Sequence, residues 1–288
     1  MPPVGMNGKI CVVTGANSGI GKETALGLAQ MGARVAMVCR NPDRGKAALE
    51  EIRRESGSSQ LDLLIADMSS QASVRALAAQ IQQKYARLDV LVNNAGGAAP
   101  ARTLSADGIE LTLATNHLGA ALLVLLVLDL MKASAPSRIV NVSSGEAQRP
   151  TRLDMNDLQF ERRKYRGIAA YAQSKLLMNA FTFELARRLA GTGVTANCLH
   201  PGVVATNIWS ANPAPLIGRL IITVVKPFML TSKQGAAVPL YLATSPDVAQ
   251  VSGEYFVKSR PANANPLSRD PQLMAQIWQF TEKMTSLR

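Results

Sequence analysis

The stretch Lys9-Ile10-Cys11-Val12-Val13-Thr14-Gly15-Ala16-Asn17-Ser18-Gly19-Ile20-Gly21 decides the architecture. Lys9 to Thr14 is a short apolar run rich in β-branched residues, and it stops at a glycine, as a buried strand does. From Gly19 to Met31 the spacing turns helical, with Ile20, Thr24, Leu28 and Met31 on one side, and Gly32 supplies the glycine that ends a helix. Between strand and helix lies Thr14 to Gly21. Glycines there permit a tight turn and let main chain approach a pyrophosphate, which the helix N-terminus attracts. Three residues separate the first two glycines and one separates the last two, which is not the common dinucleotide fingerprint. Its place in the first strand-helix unit favours a cofactor loop made of Gly15, Asn17, Ser18, Gly19, Ile20 and Gly21, over a merely structural turn.

Outward from this unit the alternation continues. Arg34 to Cys39 reads as the second strand, Asp43 as the cap of the next helix after Asn41-Pro42, and Gly57 as its end. Further strands are predicted over Leu61 to Ala66, Asp89 to Asn93, Arg138 to Ser143, Val194 to His200 and near Glu254 to Val257. Helices are predicted over Ser70 to Tyr85, Asp107 to Met131, Ala170 to Leu189, near Ser232 to Thr244, and over Pro271 to Met284; Arg260 to Asn265 reads as a loop. Strands alternating with helices of this length imply right-handed crossovers and a mostly parallel α/β sheet, doubly wound in the Rossmann manner with helices on both faces. Ligands of such a sheet sit beyond the C-terminal ends of its strands. No linker or repeat divides the 288 residues, so one domain is expected, with a core over 9–257 and a tail over 260–288.

The composition, 47% hydrophobic and 18% charged, is that of a globular chain. Cys11, Cys39 and Cys198 are odd in number and far apart, which fits buried reduced thiols in a cytoplasmic protein better than a disulfide frame. Two histidines and no ligand cluster give no basis for a metal site, and His117 and His200 are read as structural. The net charge of +11 is scattered and lacks any recognition motif, so no nucleic-acid partner is expected. Arg162-Arg163-Lys164 with Arg166 reads as a solvated loop. Met1 to Lys9 has no apolar core, so no signal peptide is expected. Leu118 to Met131 is apolar but interrupted by Asp129, and reads as a buried helix shorter than the ~18–20 residues of a membrane span.

Two further places carry chemistry. In Tyr171-Ala172-Gln173-Ser174-Lys175 a tyrosine and a lysine four apart share one helix face. A phenol titrates near ~10, and an ammonium beside it favours the phenolate, which makes it a usable acid or base toward an alcohol or carbonyl. The second strand ends in Val38-Cys39-Arg40, where an acid would meet the ribose hydroxyls of NAD and an arginine meets the 2′-phosphate of NADP. NADP(H) is therefore favoured over NAD(H), with Asp43 near enough to keep the second open.

With these residues together the chain resembles the short-chain dehydrogenase/reductase family, through Thr-Gly-x-x-x-Gly-x-Gly at Thr14 and Tyr-x-x-x-Lys at Tyr171. The family's other motifs follow in order: Asn93-Asn94-Ala95-Gly96, Asn116, Val142-Ser143-Ser144 and Pro201-Gly202. The retinol dehydrogenase-like branch is the most similar, on three stretches: Thr14 to Ala25, Arg138 to Ser144, and Leu199-His200-Pro201-Gly202-Val203-Val204. The long segment between Ser144 and Tyr171, with Asp157-Leu158, is also of that type.

The resemblance implies an oxidoreductase that moves a hydride between NADP(H) and a lipophilic aldehyde, ketone or alcohol. It implies Tyr171 as proton donor or base, and Lys175 as the group that depresses its pKa and meets the nicotinamide ribose. Ser144, rather than Ser143, holds the substrate oxygen, and Asn116 positions a relay water. Asp67 and Met68 border the adenine, Asn94 the adenosine side, and Val204 with Thr206 the carboxamide. A homodimer through the helices of Asn116 and Tyr171 is the pairing it implies. The apolar segment 207–232 stands where the family has its substrate lid; packing on the protein or a second copy, and peripheral membrane contact, are the competing readings. A non-catalytic NADPH-binding sensor is the alternative function, and the retained Tyr171 and Lys175 argue against it. A nucleotide-sugar epimerase or dehydratase would need a larger C-terminal domain than the chain has.

Overall fold

A computed structural model describes residues 5–204 and 229–286. Its strands are β1 Ile10–Thr14, β2 Arg34–Cys39, β3 Leu61–Ile65, β4 Val90–Asn93, β5 Ser137–Val142, β6 Val194–His200, β7 Tyr255–Val257 and β8 Arg260–Pro261. They form one sheet in the order β3-β2-β1-β4-β5-β6-β7-β8, parallel except for β8. The chain thus steps outward from β1 to β3, then crosses back to β4 beside β1. That reversal opens a crevice above the β1–β4 pair, where Val13 lies opposite Val92.

The helices are α1 Gly19–Gln30, α2 Pro42–Ser56, α3 Gln71–Lys84, α4 Leu111–Ala133, α5 Gly167–Arg188, α6 Ser232–Thr244, α7 Pro266–Arg269 and α8 Pro271–Met284. One face of the sheet is covered by α1, α2 and α6 through Leu28, Leu49 and Leu242 on Val13, Val35 and Val140. The other is covered by α3, α4 and α5 through Leu77, Val124 and Phe181 on Val12, Leu91 and Ile139. Strands buried on both faces must be apolar throughout, which is why their runs do not alternate.

Helix α4 is 23 residues long and apolar enough to cross a membrane by length and composition, yet 72% of its most apolar window is buried against protein. It is a core helix, as the sequence suggested for its second half. Its start differs from the sequence expectation. Asp107 to Glu110 are not helical; Glu110 instead caps the helix, accepting the N–H groups of Thr112 and Leu113. Two other boundaries need correction. Asn41, not Asp43, caps α2, its Oδ1 accepting the Arg44 N–H at 2.9 Å. Arg260–Pro261, expected as loop, pairs antiparallel with β7.

The C-terminal helix α8 lies across α4 and α5. Trp278 stacks on Phe181 at 5.3 Å, the Arg188 guanidinium lies over the Trp278 ring at 4.0 Å, and the His117 Nε2 shares a 2.8 Å hydrogen bond with Thr281. A homodimer built on α4 and α5 would therefore have to include α8. The basic loop of Arg162 and Arg163 is less free than its composition suggests. Asp157, itself buried, accepts the N–H groups of Glu161, Arg162 and Arg163 and pairs with the Arg163 side chain at 2.8 Å.

Candidate active site

The glycine loop is held by a set of main-chain bonds that its composition permits. The Thr14 Oγ1 accepts the N–H groups of Asn94 and Ala95, each at 3.0 Å, and Asn94 Nδ2 donates to the Thr14 and Gly15 carbonyls. These ties leave no room for side chains. A Cβ on Gly21 would lie 2.3 Å from Asn94 Nδ2 and from the Gly15 carbonyl, and Gly15 has φ of 67°, where only glycine is unstrained.

Beside the loop lies a cavity of about 920 Å3. Gly15, Asn17, Ser18, Gly19 and Ile20 form one wall and Asn94 to Pro100 the other. Val38, Ala66 and Met68 line one end, with Asp67, Arg40 and Arg44 at its rim. Ser18 starts α1 without a side-chain cap, and the first turn has no acid, so an outside acceptor is left to meet these amides. Arg40 is largely exposed, 3.9 Å from Asp67. An uncapped helix end in the middle and two guanidinium groups at one end suit a ligand carrying several anionic groups. The residues present therefore fit a phosphorylated dinucleotide.

At the other end, Gly96 and Gly97 join the cavity to the residues on α4 and α5. A Cβ on Gly96 would stand 3.0 Å from Asn116 Oδ1 and 3.3 Å from Lys175 Nζ. Asn116 lies in a π turn, Ala114–Leu118, inside α4. Just after it, the Met68 carbonyl is too close to Gly119 for any Cβ there. Lys175 is buried, donates to the Val142 carbonyl at 2.8 Å, and has its Nζ 5.7 Å from the centre of the Tyr171 ring. Ser144, just past β5, accepts the Glu146 N–H at 3.2 Å through its Oγ and interacts with the Tyr171 side chain. Ser143 points elsewhere, its Oγ reaching the Lys175 carbonyl at 3.5 Å.

The electrostatics differ from the sequence expectation. Burial raises the Tyr171 pKa above the ordinary phenol value; the Ser144 side chain lowers it and the Glu146 carboxylate raises it. Lys175 does not bring the phenol down in this geometry. Burial acts on the lysine too, pushing its pKa down to about 8, and its ammonium is spent on the Val142 carbonyl.

The remaining expected residues fall as follows. Asn94 lines the cavity while tying β1 to β4, and Asp67 and Met68 sit at its far end. Val204 is buried near Ile20: a Cβ on Gly235 would touch both. Thr206 and residues 207–228 of the expected lid lie outside the described residues. His117 is buried, and burial pushes its pKa down to about 3. All three cysteines are buried, and burial pushes the Cys39 pKa up to about 11. Among the described residues no group of three His, Cys, Asp or Glu could hold a metal.

Sequence reasoning left several residues without a role. Thr14 and Gly97 act through contacts with distant elements, which local spacing does not reveal. Arg44 lies one helical turn past the strand end, where a second basic residue after Arg40 was the available signal. Ser174 is inside the quoted Tyr-Lys stretch; its Oγ accepts from Asn116 and donates to the Tyr171 carbonyl.

Comparison with known proteins gives the family and the fold. A family model described as short chain dehydrogenase matches residues 9–155 and 159–215. Retinol dehydrogenase 14 of Mus musculus is 41% identical over 293 residues, covering 98% of this chain and 87% of that one. Retinol dehydrogenase 12 of Homo sapiens is 40% identical over 286 residues, covering 99% and 89%. Among solved structures, an uncharacterized protein from Mycobacterium paratuberculosis superposes with a TM-score of 0.80 at 30% identity, over 99% of this chain and 96% of that one. A Pseudomonas aeruginosa RhlG/NADP active-site complex gives 0.70 at 26% identity, over 89% and 97%.

Proposed function

The chain belongs to the short-chain dehydrogenase/reductase family, in its retinol dehydrogenase-like branch, and we propose that it interconverts lipophilic aldehydes or ketones and their alcohols with NADP(H). It is an oxidoreductase by family; the cofactor, the substrate class and the mechanism are our reading. One observation carries it. The Tyr171 and Ser144 side chains meet at the end of β5, with Lys175 and Gly96 linking them to the cavity above the glycine loop.

The bound dinucleotide supplies or accepts the hydride. Gly15, Asn17, Ser18, Gly19, Ile20 and Gly21 take its pyrophosphate at the uncapped end of α1. Asp67 and Met68 border the adenine, Asn94 the adenosine side, and Val204 and Thr206 the carboxamide. Arg40 and Arg44 meet the 2′-phosphate, which favours NADP(H) over NAD(H).

Tyr171 gives its proton to the carbonyl oxygen in reduction and takes it from the hydroxyl in oxidation. Ser144 donates to the same oxygen as charge develops there. Its Oγ accepts the Glu146 N–H, and its one proton, which can meet the Tyr171 oxygen, would turn to the substrate oxygen. Lys175 orients the ribose and returns protons to Tyr171. The Asn116 amide is taken up by Gly97 and Ser174, so a relay water would be placed by the Asn116 main chain.

The retinol dehydrogenase names of the relatives and the apolar composition of 207–232 support a lipophilic substrate covered by a lid. A cytoplasmic location is part of the same proposal, with peripheral membrane contact by 207–232 as the reading that competes with the lid.

The test is NADPH consumption with retinal, medium-chain aldehydes, steroid ketones and quinones, with NADH in parallel. Turnover of an apolar carbonyl is expected. Tyr171→Phe should abolish it while leaving NADPH binding intact; wild-type rates in that variant would overturn the mechanism. NADPH binding with no turnover of any substrate would favour the sensor.

A further inference from the structure

The turn that carries Ser144 is gripped from the neighbouring strand by a histidine. His200 is the last residue of β6, and its Nδ1 accepts the main-chain N–H of Gly145 at 2.9 Å. The ring also presses on the turn: a Cβ on Gly145 would lie 3.1 Å from Nε2 and 3.3 Å from Cε1. Other bonds fix the same turn: Ser143 N–H to the Leu199 carbonyl at 2.8 Å, the Ala147 N–H and the Tyr255 hydroxyl to the Ser144 carbonyl at 3.2 and 3.4 Å, and the Glu146 N–H to Ser144 Oγ at 3.2 Å. The histidine bond takes the N–H of the peptide that follows Ser144, and among these partners the imidazole is the one whose protonation changes between about pH 5 and 8.

We propose that His200 is a positioning residue: as the neutral Nε2–H tautomer it anchors Gly145 and thereby aims the Ser144 hydroxyl at the substrate oxygen beside Tyr171. The proposal rests on the reading of Ser144 and Tyr171 as the catalytic pair. A protonated ring would present an N–H to the Gly145 N–H, and the anchor would be lost. Burial keeps the imidazole pKa below its ordinary value, so the neutral form prevails at neutral pH. The titratable groups at this end of the sheet are Glu146 on the turn, Tyr171 and Lys175 on α5, Lys233 at the start of α6, and Tyr255 and Lys258 on or beside β7. Burial alone is the cause of the shift on His200.

The test compares wild type, His200→Ala and His200→Asn, whose amide oxygen can stand in for Nδ1. Rates are read from about pH 5 to about pH 8, across the histidine range. His200→Ala should lower kcat about ten-fold at neutral pH, the factor of one modest transition-state contact, with little change in KM. Wild type should lose kcat in acid, below the ordinary histidine value, and His200→Asn should recover most of the rate without that acid limb.

The chain has only two histidines, so nitrogen NMR reads the His200 tautomer directly. An Nε2–H form is expected, with the Gly145 amide shifting as the ring protonates. Wild-type kcat in His200→Ala, equal losses in both variants, an acid limb surviving in His200→Asn, or an Nδ1–H tautomer would each overturn the proposal. A wild-type protein that reduces no carbonyl would instead sink the proposed function, and the tautomer and the Gly145 shift would still decide whether the anchor exists.

Discussion

Asn116 and Gly97 hold each other at both main-chain groups: the Gly97 N–H donates to Asn116 Oδ1 at 2.8 Å, and Asn116 Nδ2 donates back to the Gly97 carbonyl at 2.9 Å. The same Nδ2 reaches Ser174 Oγ at 2.9 Å, and Ser174 donates to the Tyr171 carbonyl. One buried amide therefore joins the cavity wall, the π turn of α4 and the turn of α5 that carries Tyr171. Asn116→Ala would leave Gly97 unpartnered at both groups. Each such loss costs about 1–3 kcal/mol, so the variant should be less stable by about 3 kcal/mol in urea unfolding. Turnover should fall as well, because Gly96 and Lys175 lose the wall they pack against. An unchanged unfolding midpoint would show that the amide is not what holds these elements.

Lys175 makes the protein without cofactor pH-sensitive in a defined window. Its folded pKa of about 8 lies below the ordinary lysine value of 10.5. Between those values the unfolded chain keeps a proton that the folded chain has released, so folding stability rises with pH there. Below about 8 the folded state carries the full cost of a buried ammonium. Lys175→Met removes that cost and adds a pH-independent penalty, the lost bond to the Val142 carbonyl. The stability of the variant relative to wild type should therefore be greatest below pH 8 and decline toward pH 10.5. Urea midpoints of both proteins across the window measure it, and a difference that stays flat would refute the shift.

The elements most legible in the sequence are those whose limits are written locally. The β2, β6, α6 and α8 limits are as predicted because apolar runs meet a glycine, a His-Pro-Gly or a capping residue at each end. What was not legible depends on contacts between distant elements. The π turn at Asn116 lies beside the close approach of Met68 to Gly119, a contact between elements distant in sequence. The Glu110 cap depends on where α4 meets its surroundings, and β8 on the edge that β7 offers. The same holds at the site. Tyr171, Lys175, Ser144 and the glycine loop stand in motifs, whereas the bonds of Gly97 and His200 need the sheet register before they exist. The phenol is a different case. Its neighbour was visible at four-residue spacing, but burial, which raises the phenol pKa, is a property of the assembled protein.

Asp157 organises the long segment that precedes α5. Its carboxylate accepts three successive main-chain N–H groups, from Glu161 to Arg163, and the Arg163 side chain, and these hold its pKa well below the usual carboxylate range. A depressed folded pKa means that this contribution is present above the ordinary aspartate value and is lost as pH falls toward the folded one. Asp157→Asn keeps one acceptor and surrenders the charge. Amide exchange at Glu161, Arg162 and Arg163 should quicken, and proteolysis in this segment with it, while the sheet stays protected. Exchange rates equal to wild type at those three amides would mean that the carboxylate does not hold the segment.

Arg40 and Arg44 stand at the same end of the cavity, one just past β2 and the other in the first turn of α2. Neither is buried, so each alone is partly screened; in the proposed reading the two would meet the 2′-phosphate together. Arg40 also has Asp67 at 3.9 Å, which would repel a phosphate if the arginine were removed. Replacing both by Ala should weaken NADPH by more than ten-fold and leave NADH nearly unchanged, since the 2′-hydroxyl needs no cation. Arg44→Ala alone should give a smaller loss than Arg40→Ala, because it leaves the cation nearest Asp67 in place. Fluorescence titration of both dinucleotides against all three variants measures this. Equal weakening of NADPH and NADH would assign the arginines to the shared part of the dinucleotide, and the preference for NADP(H) would need another source.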